Sequence, residues 1–239
     1  MPMRAHPPMP LREQVLHVNQ ELFRRGLARF TFGNASAIDR HARHIVIKPS
    51  GVPYDQLRSD AMVVTDLQGS VIEGSLRPSS DLATHVALYR AFSQIGGIVH
   101  THSHYATVWA QAGREIPCLG TTHADYFHGA IPVTAPMTDH AIAGEYEANT
   151  GESIIARFVA LDAATMPAVL VAGHASFCWG PTVAAALETA TILEEVAEMA
   201  YHTIVLNAEA AEISEALRDR HFLRKHGQGA YYGQAPATD

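Results

Sequence analysis

The chain has 239 residues, 17 Lys and Arg against 24 Asp and Glu, and a formal net charge of -7. With 47% hydrophobic residues it has a globular composition, with core enough for one large domain or two small ones. The acidic balance argues against general nucleic-acid binding, which needs a basic face. No apolar run reaches the ~18 residues of a membrane span, and Cys118 and Cys178 alone make no disulfide framework.

Met1 to Pro10 contains four prolines and no apolar signal-peptide core, so residues 1–10 are expected to be a flexible extension of a cytoplasmic protein. Leu11 to Arg25 carries Leu11, Val15, Val18 and Leu22 at helical spacing, with Gly26 as the stop. Phe30–Asp39 and His44–Lys48 read as strands, and Pro49-Ser50-Gly51 as a turn. Met62–Asp66 and Val71–Glu73 form a hairpin around Gln68-Gly69. Asp81 to Phe92 is predicted helical, with Ser79 or Ser80 as its N-cap. Ile95–Thr101 is a buried strand leading into a helix from about Tyr105. A helix near Ala143–Phe158, a strand over Ala168–Ala172 and helices over Thr182–Leu206 and Ala211–His226 complete the pattern. Hairpins come early and strand–helix alternation later. That predicts an α/β fold with a mixed, largely antiparallel sheet covered by helices on both faces, built as one domain over residues 11–239.

Fifteen histidines are many for this length, and their placement is informative. The stretch Gly96-Gly97-Ile98-Val99-His100-Thr101-His102 delivers two histidines from an apolar strand at i and i+2, hence on one face. Side chains ~7 Å apart along a strand can converge on one ion with Zn–N bonds of ~2.0–2.1 Å. His174 ends a second apolar strand after Gly173, and Asp81 on the first turn of a helix offers a carboxylate. Paired histidines at a strand end also fit ordinary hydrogen-bonding roles, and spacing alone does not bring these residues together.

Gly33-Asn34, Ser50-Gly51 and Pro78-Ser79-Ser80 place small polar residues where the backbone turns, with Lys48 just before the second segment. Amides, hydroxyls and a helix N-terminus can hold a phosphate without a basic surface. Singly, each segment also fits a common turn or a helix cap.

With their neighbours, these segments resemble the class II aldolase and sugar-phosphate epimerase family, and most closely its L-ribulose-5-phosphate 4-epimerase branch. The matching stretches include GNASAIDR, IKPSGVPYDQL, RPSSDLATH, IGGIVHTHS, IPCLGTTHADYFHG, MPAVLVAGHASFCWG and LRKHGQGAYYGQ, in order from about residue 12 to Gln234. The resemblance implies a three-layer α/β/α sandwich and a zinc ion (or manganese or cobalt) held by Asp81, His100, His102 and His174. It implies a substrate-phosphate pocket at Gly33, Asn34, Ser50, Gly51, Ser79 and Ser80, and an acid/base pair of Asp125 and Tyr232. It also implies a four-fold homotetramer in which the C-terminal tyrosine completes a neighbour's metal site, and a pentulose phosphate as substrate. Fuculose-phosphate aldolases share the metal histidines but carry Glu where this chain has Asp81, and they lack TTHADYF and AYYGQ. The family's epimerases often have a basic segment where this chain has Ala135 and Pro136, and H-x-H-G where it has Ala172-Gly173-His174-Ala175. A class II aldolase and a non-catalytic sugar-phosphate binding protein are the competing functions.

Overall fold

A computed structural model describes residues 10–233. Apart from Pro10, the expected N-terminal extension lies outside the described residues. Helix α1 (Leu11–Arg24) is followed by strands β1 (Asn34–Asp39), β2 (His44–Ile47), β3 (Val63–Asp66) and β4 (Val71–Glu73). Next come α2 (Leu82–Ala91), β5 (Gly97–Thr101), α3 (His104–Ala112), α4 (Thr121–Ala124), α5 (Asp139–Ala143) and α6 (Tyr146–Arg157). Strands β6 (Ala168–Leu170) and β7 (Ser176–Gly180) and helices α7 (Val183–Leu206) and α8 (Glu215–His226) finish the chain.

The seven strands form one sheet in the order β4-β3-β2-β1-β5-β7-β6. Every pairing between these strands is antiparallel, and a parallel contact occurs only at the isolated Val133–Leu170 bridge among the described residues. Alternation along β5 defines the two faces. A Cβ on Gly97 would lie 2.3 Å from the Cα of Val183, so that face abuts α7 with no room for a side chain. One residue on in the pleat, the opposite face carries His100, whose ring stacks on Phe177 at 4.2 Å, and His85 of α2 meets the same Phe177 edge-on. Helices α1 and α3 pack with α7, while α2 packs with α6. The result is the expected three-layer α/β/α arrangement, with one contiguous apolar core running through both helical layers.

Buried residues of α1 fall at Val15, Val18, Asn19 and Leu22, one face of a helix. Asn19 is the polar member, and its carboxamide has a specific task. It accepts from the Ala35 amide at 2.9 Å and donates to the Ala35 carbonyl at 3.2 Å. The β1–β2 register begins only at Ser36, so Asn19 satisfies the backbone that the neighbouring strand does not reach.

Several elements differ from the sequence expectation: α8 begins at Glu215 rather than Ala211, and the short helices α4 and α5 are not predicted. Strand β1 starts at Asn34 rather than Phe30, because Phe30 and Gly33 both have positive φ (53° and 77°), which breaks the extended backbone. No strand is predicted over Ser176–Gly180, yet β7 pairs on both sides with β5 and β6. All five of its residues are buried, so it lacks the polar–apolar alternation that marks a half-exposed strand.

Replacing Asn19 by Ala leaves the Ala35 amide and carbonyl buried without that partner. The expected cost is about 1–3 kcal/mol, read as a lower urea midpoint with unchanged slope.

Candidate metal centre

Strand β5 lies between β1 and β7, which sets His100 opposite Asn34 on one side and Phe177 on the other. His102 follows two residues later, beyond the strand end, on the same face. The third histidine comes from the β6–β7 turn, where the Val171 amide bonds the Ala175 carbonyl and Gly173 adopts φ 70°. His174 therefore points back along the sheet. The three ring centroids are each 5.0 Å from the other two, and one ligating atom from each ring lies within 4.8 Å of the others.

The donor set fits a divalent cation. The Nδ1 of His100 is 2.9 Å from the Ser176 carbonyl oxygen. A carbonyl only accepts, so Nδ1 carries the proton and Nε2 keeps its lone pair for a metal, the usual way a ligating imidazole is oriented. The Tyr146 hydroxyl lies 3.4 Å from Nδ1 of His174. Burial, reinforced by the neighbouring histidines, holds the pKa of His174 down at about 4, and burial with His100 lowers that of His102. Both are thus neutral near pH 7, the form that binds metal.

Asp81 faces the same space. It occupies the N-cap position of α2 in place of the expected Ser79 or Ser80, but its carboxylate makes no capping bond. Instead Oδ2 accepts from the Asn34 carboxamide at 2.7 Å, with the Ser79 hydroxyl at 3.4 Å. Burial pushes its pKa up, but the fields of His100 and His85 and the bond from Asn34 outweigh that, and the net shift is downward. Asp81 is held as a carboxylate beside the histidine triangle.

The segments that seemed separate in the sequence meet here. The Ser50 amide bonds the Arg77 carbonyl and the Ser79 amide bonds the Lys48 carbonyl, both at 2.9 Å, pinning the Ser50-Gly51 turn to Ser79-Ser80. Gly33 is required by space: a Cβ there would lie 2.7 Å from the His100 carbonyl oxygen. The Tyr54 hydroxyl lies 2.8 Å from the carbonyls of Phe32 and Gly33 and ties that loop down. One cavity of about 370 Å³ is lined by Gly33, Asn34, Ser50, Gly51, Ser79, Ser80, Asp81 and all three histidines. A larger groove over α2 and α6, about 740 Å³, shares Ser79 and Ser80 but contains no histidine.

Asp125 and Tyr232 do not line this cavity. Both instead contact Arg224 of α8, which bonds both Asp125 oxygens and lies 4.9 Å from the Tyr232 ring. One chain thus presents two separate constellations.

The family model described as the class II aldolase and adducin N-terminal domain matches residues 13–201. The chain belongs to this family. An L-fuculose 1-phosphate aldolase of known structure aligns with a TM-score of 0.75 at 23% identity, covering 88% of this chain and 93% of that one. YgbL of Klebsiella pneumoniae gives a TM-score of 0.67 at 25% identity, covering 88% and 96% respectively. The L-fuculose-1-phosphate aldolase of Thermus thermophilus gives 0.66 at 23% identity, covering 85% and 98%. The chain has the class II aldolase fold. No described helix is long and apolar enough to cross a membrane.

Lys48, noted in the sequence beside the Ser50-Gly51 turn, lines this cavity with Glu147, and Tyr146 is a lining residue that sequence reasoning assigned no role. Tyr146 is the first residue of a helix and carries no distinguishing sequence signal. Lys48 is 2% exposed, and among the described residues its ammonium meets the Pro49 carbonyl at 3.3 Å and the face of Tyr54 at 5.0 Å. Among the described residues this buried lysine has no carboxylate partner, a feature that only the structure reveals. Of the other histidines, His123 is buried and bonded to the Gly129 carbonyl, His128 pairs with Asp219, and His104 is exposed.

Substituting His174 by Ala removes one corner of the triangle. Dialysed protein is expected to fall from about one equivalent of divalent metal to well below it, measured by elemental analysis, with the circular dichroism of the fold retained.

Proposed function

We propose that this protein is a zinc-dependent L-ribulose-5-phosphate 4-epimerase of the cytoplasm, acting as one domain. The observation that carries the reading is the convergence of three histidines and Asp81 with the Ser50-Gly51 and Ser79-Ser80 turns in a single cavity. A cavity lined both by the histidines with Asp81 and by small polar turn residues suits a short sugar phosphate.

The proton on carbon 4 of a pentulose lies β to the ketone and is not acidic, so direct deprotonation is a poor route to inversion. Cleavage between carbons 3 and 4 gives the enediolate of dihydroxyacetone and glycolaldehyde phosphate. Rotation of the aldehyde and re-addition inverts carbon 4 and gives D-xylulose 5-phosphate. A bound divalent cation supplies Lewis-acid stabilisation of negative charge on the sugar oxygens, worth several kcal/mol. Asn34, through its bond to Asp81, keeps that carboxylate turned toward the cavity. The hydroxyls of Ser50, Ser79 and Ser80 and the Lys48 ammonium hold the phosphate while the aldehyde rotates. The carbon 4 oxygen must lose a proton as the bond breaks and regain one on the opposite face. Asp125 and Tyr232 are the groups proposed to exchange it, one on each face.

Because both stand apart from their own chain's cavity, we place them in the metal cavity of a neighbouring subunit of a homotetramer. The competing reading, net aldol cleavage, is favoured by the fold shared with fuculose-phosphate aldolases. Asp81 in place of the aldolases' Glu, together with Asp125 and Tyr232, supports epimerisation.

The deciding assay follows L-ribulose 5-phosphate with and without chelator, measuring D-xylulose 5-phosphate and the two cleavage fragments. Metal-dependent formation of the epimer is expected; accumulation of fragments without epimer would assign an aldolase. Asp125→Asn and Tyr232→Phe should each lower kcat by about 10²–10⁴-fold with metal content unchanged. Mixed oligomers of Asp125→Asn and His174→Ala subunits should regain activity that neither variant has alone, because some sites then combine an intact cavity with an intact acid/base pair.

Burial pulls the Lys48 pKa down to about 8. A sugar phosphate, with its second pKa near ~6, stays dianionic above neutrality, so binding favours the charged lysine. KM is expected to rise as pH passes upward through about 8, and Lys48→Met should raise KM and abolish that break.

A further inference from the structure

Helix α8 buries only Phe222 and holds to the body of the protein largely through polar contacts. Most of them end on Asp125, at the C-terminal end of α4. Arg224 donates from Nε to Oδ1 at 2.9 Å and from Nη2 to Oδ2 at 2.6 Å, and His221 Nδ1 lies 3.0 Å from Oδ1. His226 adds a contact from Nε2 to the Asp125 carbonyl at 2.9 Å. A two-point fork of this kind fixes both oxygens of the carboxylate and removes its freedom to rotate.

Arg224 also reaches the tail. Its carbonyl accepts from the amides of Tyr231 and Tyr232 at 3.0 and 3.2 Å, folding the chain back over the end of α8. The guanidinium carbon lies 4.9 Å from the Tyr232 ring centroid, a cation–π contact. Lys225 reinforces it, with Nζ 4.4 Å from the Tyr232 ring and 3.7 Å from that of Tyr126. One arginine therefore grips Asp125 with its fork, the ring of Tyr232 with its face, and the backbone of the tail with its carbonyl.

We propose that Arg224 is a positioning residue that assembles Asp125 and Tyr232 into a single acid/base unit, so that the pair enters a neighbour's cavity with its geometry already set. This rests on the reading of Asp125 and Tyr232 given above. Neither group could be aimed from its own local structure: Asp125 ends a four-residue helix, and Tyr232 sits in an exposed tail.

The charged and titratable groups facing Asp125 come from α8: His221, Arg224, Lys225 and His226. From α4, His123 is turned away to the Gly129 carbonyl, and the α7 residues that line a cavity with α4 are the uncharged Val196, Met199, Ala200 and Thr203. Burial raises the pKa of Asp125, while the bonds from Arg224 and His221 bring it below the usual carboxylate value. Without the guanidinium the burial effect is less opposed and the pKa rises, so the carboxylate is lost at a higher pH.

The test compares Arg224→Gln and Arg224→Lys with the parent protein at saturating metal. Misplacing a reacting group by about 1 Å can cost about 10²-fold, and a fall in kcat of that order is expected for Arg224→Gln. KM should change little, and the acidic limb of kcat/KM should move to higher pH. Arg224→Lys keeps the charge without the fork, so it should leave the limb nearer its original place while kcat still falls. Metal content and Tm are measured alongside, and if Arg224→Gln does not fold, Arg224→Lys carries the kcat test. Unchanged kcat in the folded variants overturns the proposal. So does a loss that follows only the fraction of folded protein, with an unmoved limb. If Asp125→Asn and Tyr232→Phe abolish turnover while the Arg224 variants retain it, the positioning role falls and the catalytic reading stands. If those two variants turn over normally, the catalytic reading falls and this inference with it.

Discussion

The geometry of the site depends on strand β5 being hydrogen-bonded along both edges. Its pairing with β1 and β7 sets the height of His100 in the sheet, and the Ser176 carbonyl of β7 then fixes which ring nitrogen is free. Because side chains alternate along a strand, His102 inherits the same face. The β6–β7 turn needs only to return one residue, His174, to complete the triangle. A slip of one residue in the β5 register would send both β5-derived histidines to the α7 side, where a Cβ at Gly97 already has no room.

A second consequence of this arrangement is that the polar lining of the cavity is built with little surface charge. The Ser50 and Ser79 turns are locked together by backbone bonds, and Asn34 and Asp81 bond to each other across β1 and α2. The buried lysine beside them, Lys48, has no carboxylate partner among the described residues, and burial lowers its pKa to about 8. The proposed phosphate site therefore needs no net positive charge, since the local field is set by nearby polar groups and one lysine rather than by the chain's overall charge.

The acid/base candidates follow a different logic. They are assembled on the surface by charge, through Arg224 and Lys225, and they sit apart from the metal ligands of the same chain. The histidine triangle thus stands on a rigid sheet, while the proposed acid/base pair stands on a short helix and the tail.

The sequence by itself determined the local pieces: the helical face of α1, the early hairpins, the HxH pair on one strand face and the turns rich in Gly and Ser. These are legible because period, strand parity and turn chemistry are properties of neighbouring residues. Its ordered motifs also pointed to the family. The tertiary structure alone decided what is non-local: that β7 exists, that His174 closes on His100 and His102, that Asp81 turns away from its helix cap to Asn34, and that Lys48 is buried. It also decided that Asp125 and Tyr232 both contact Arg224 and stand apart from the histidine triangle of their own chain. Those outcomes depend on packing and on contacts between residues far apart in the chain, which no local pattern encodes.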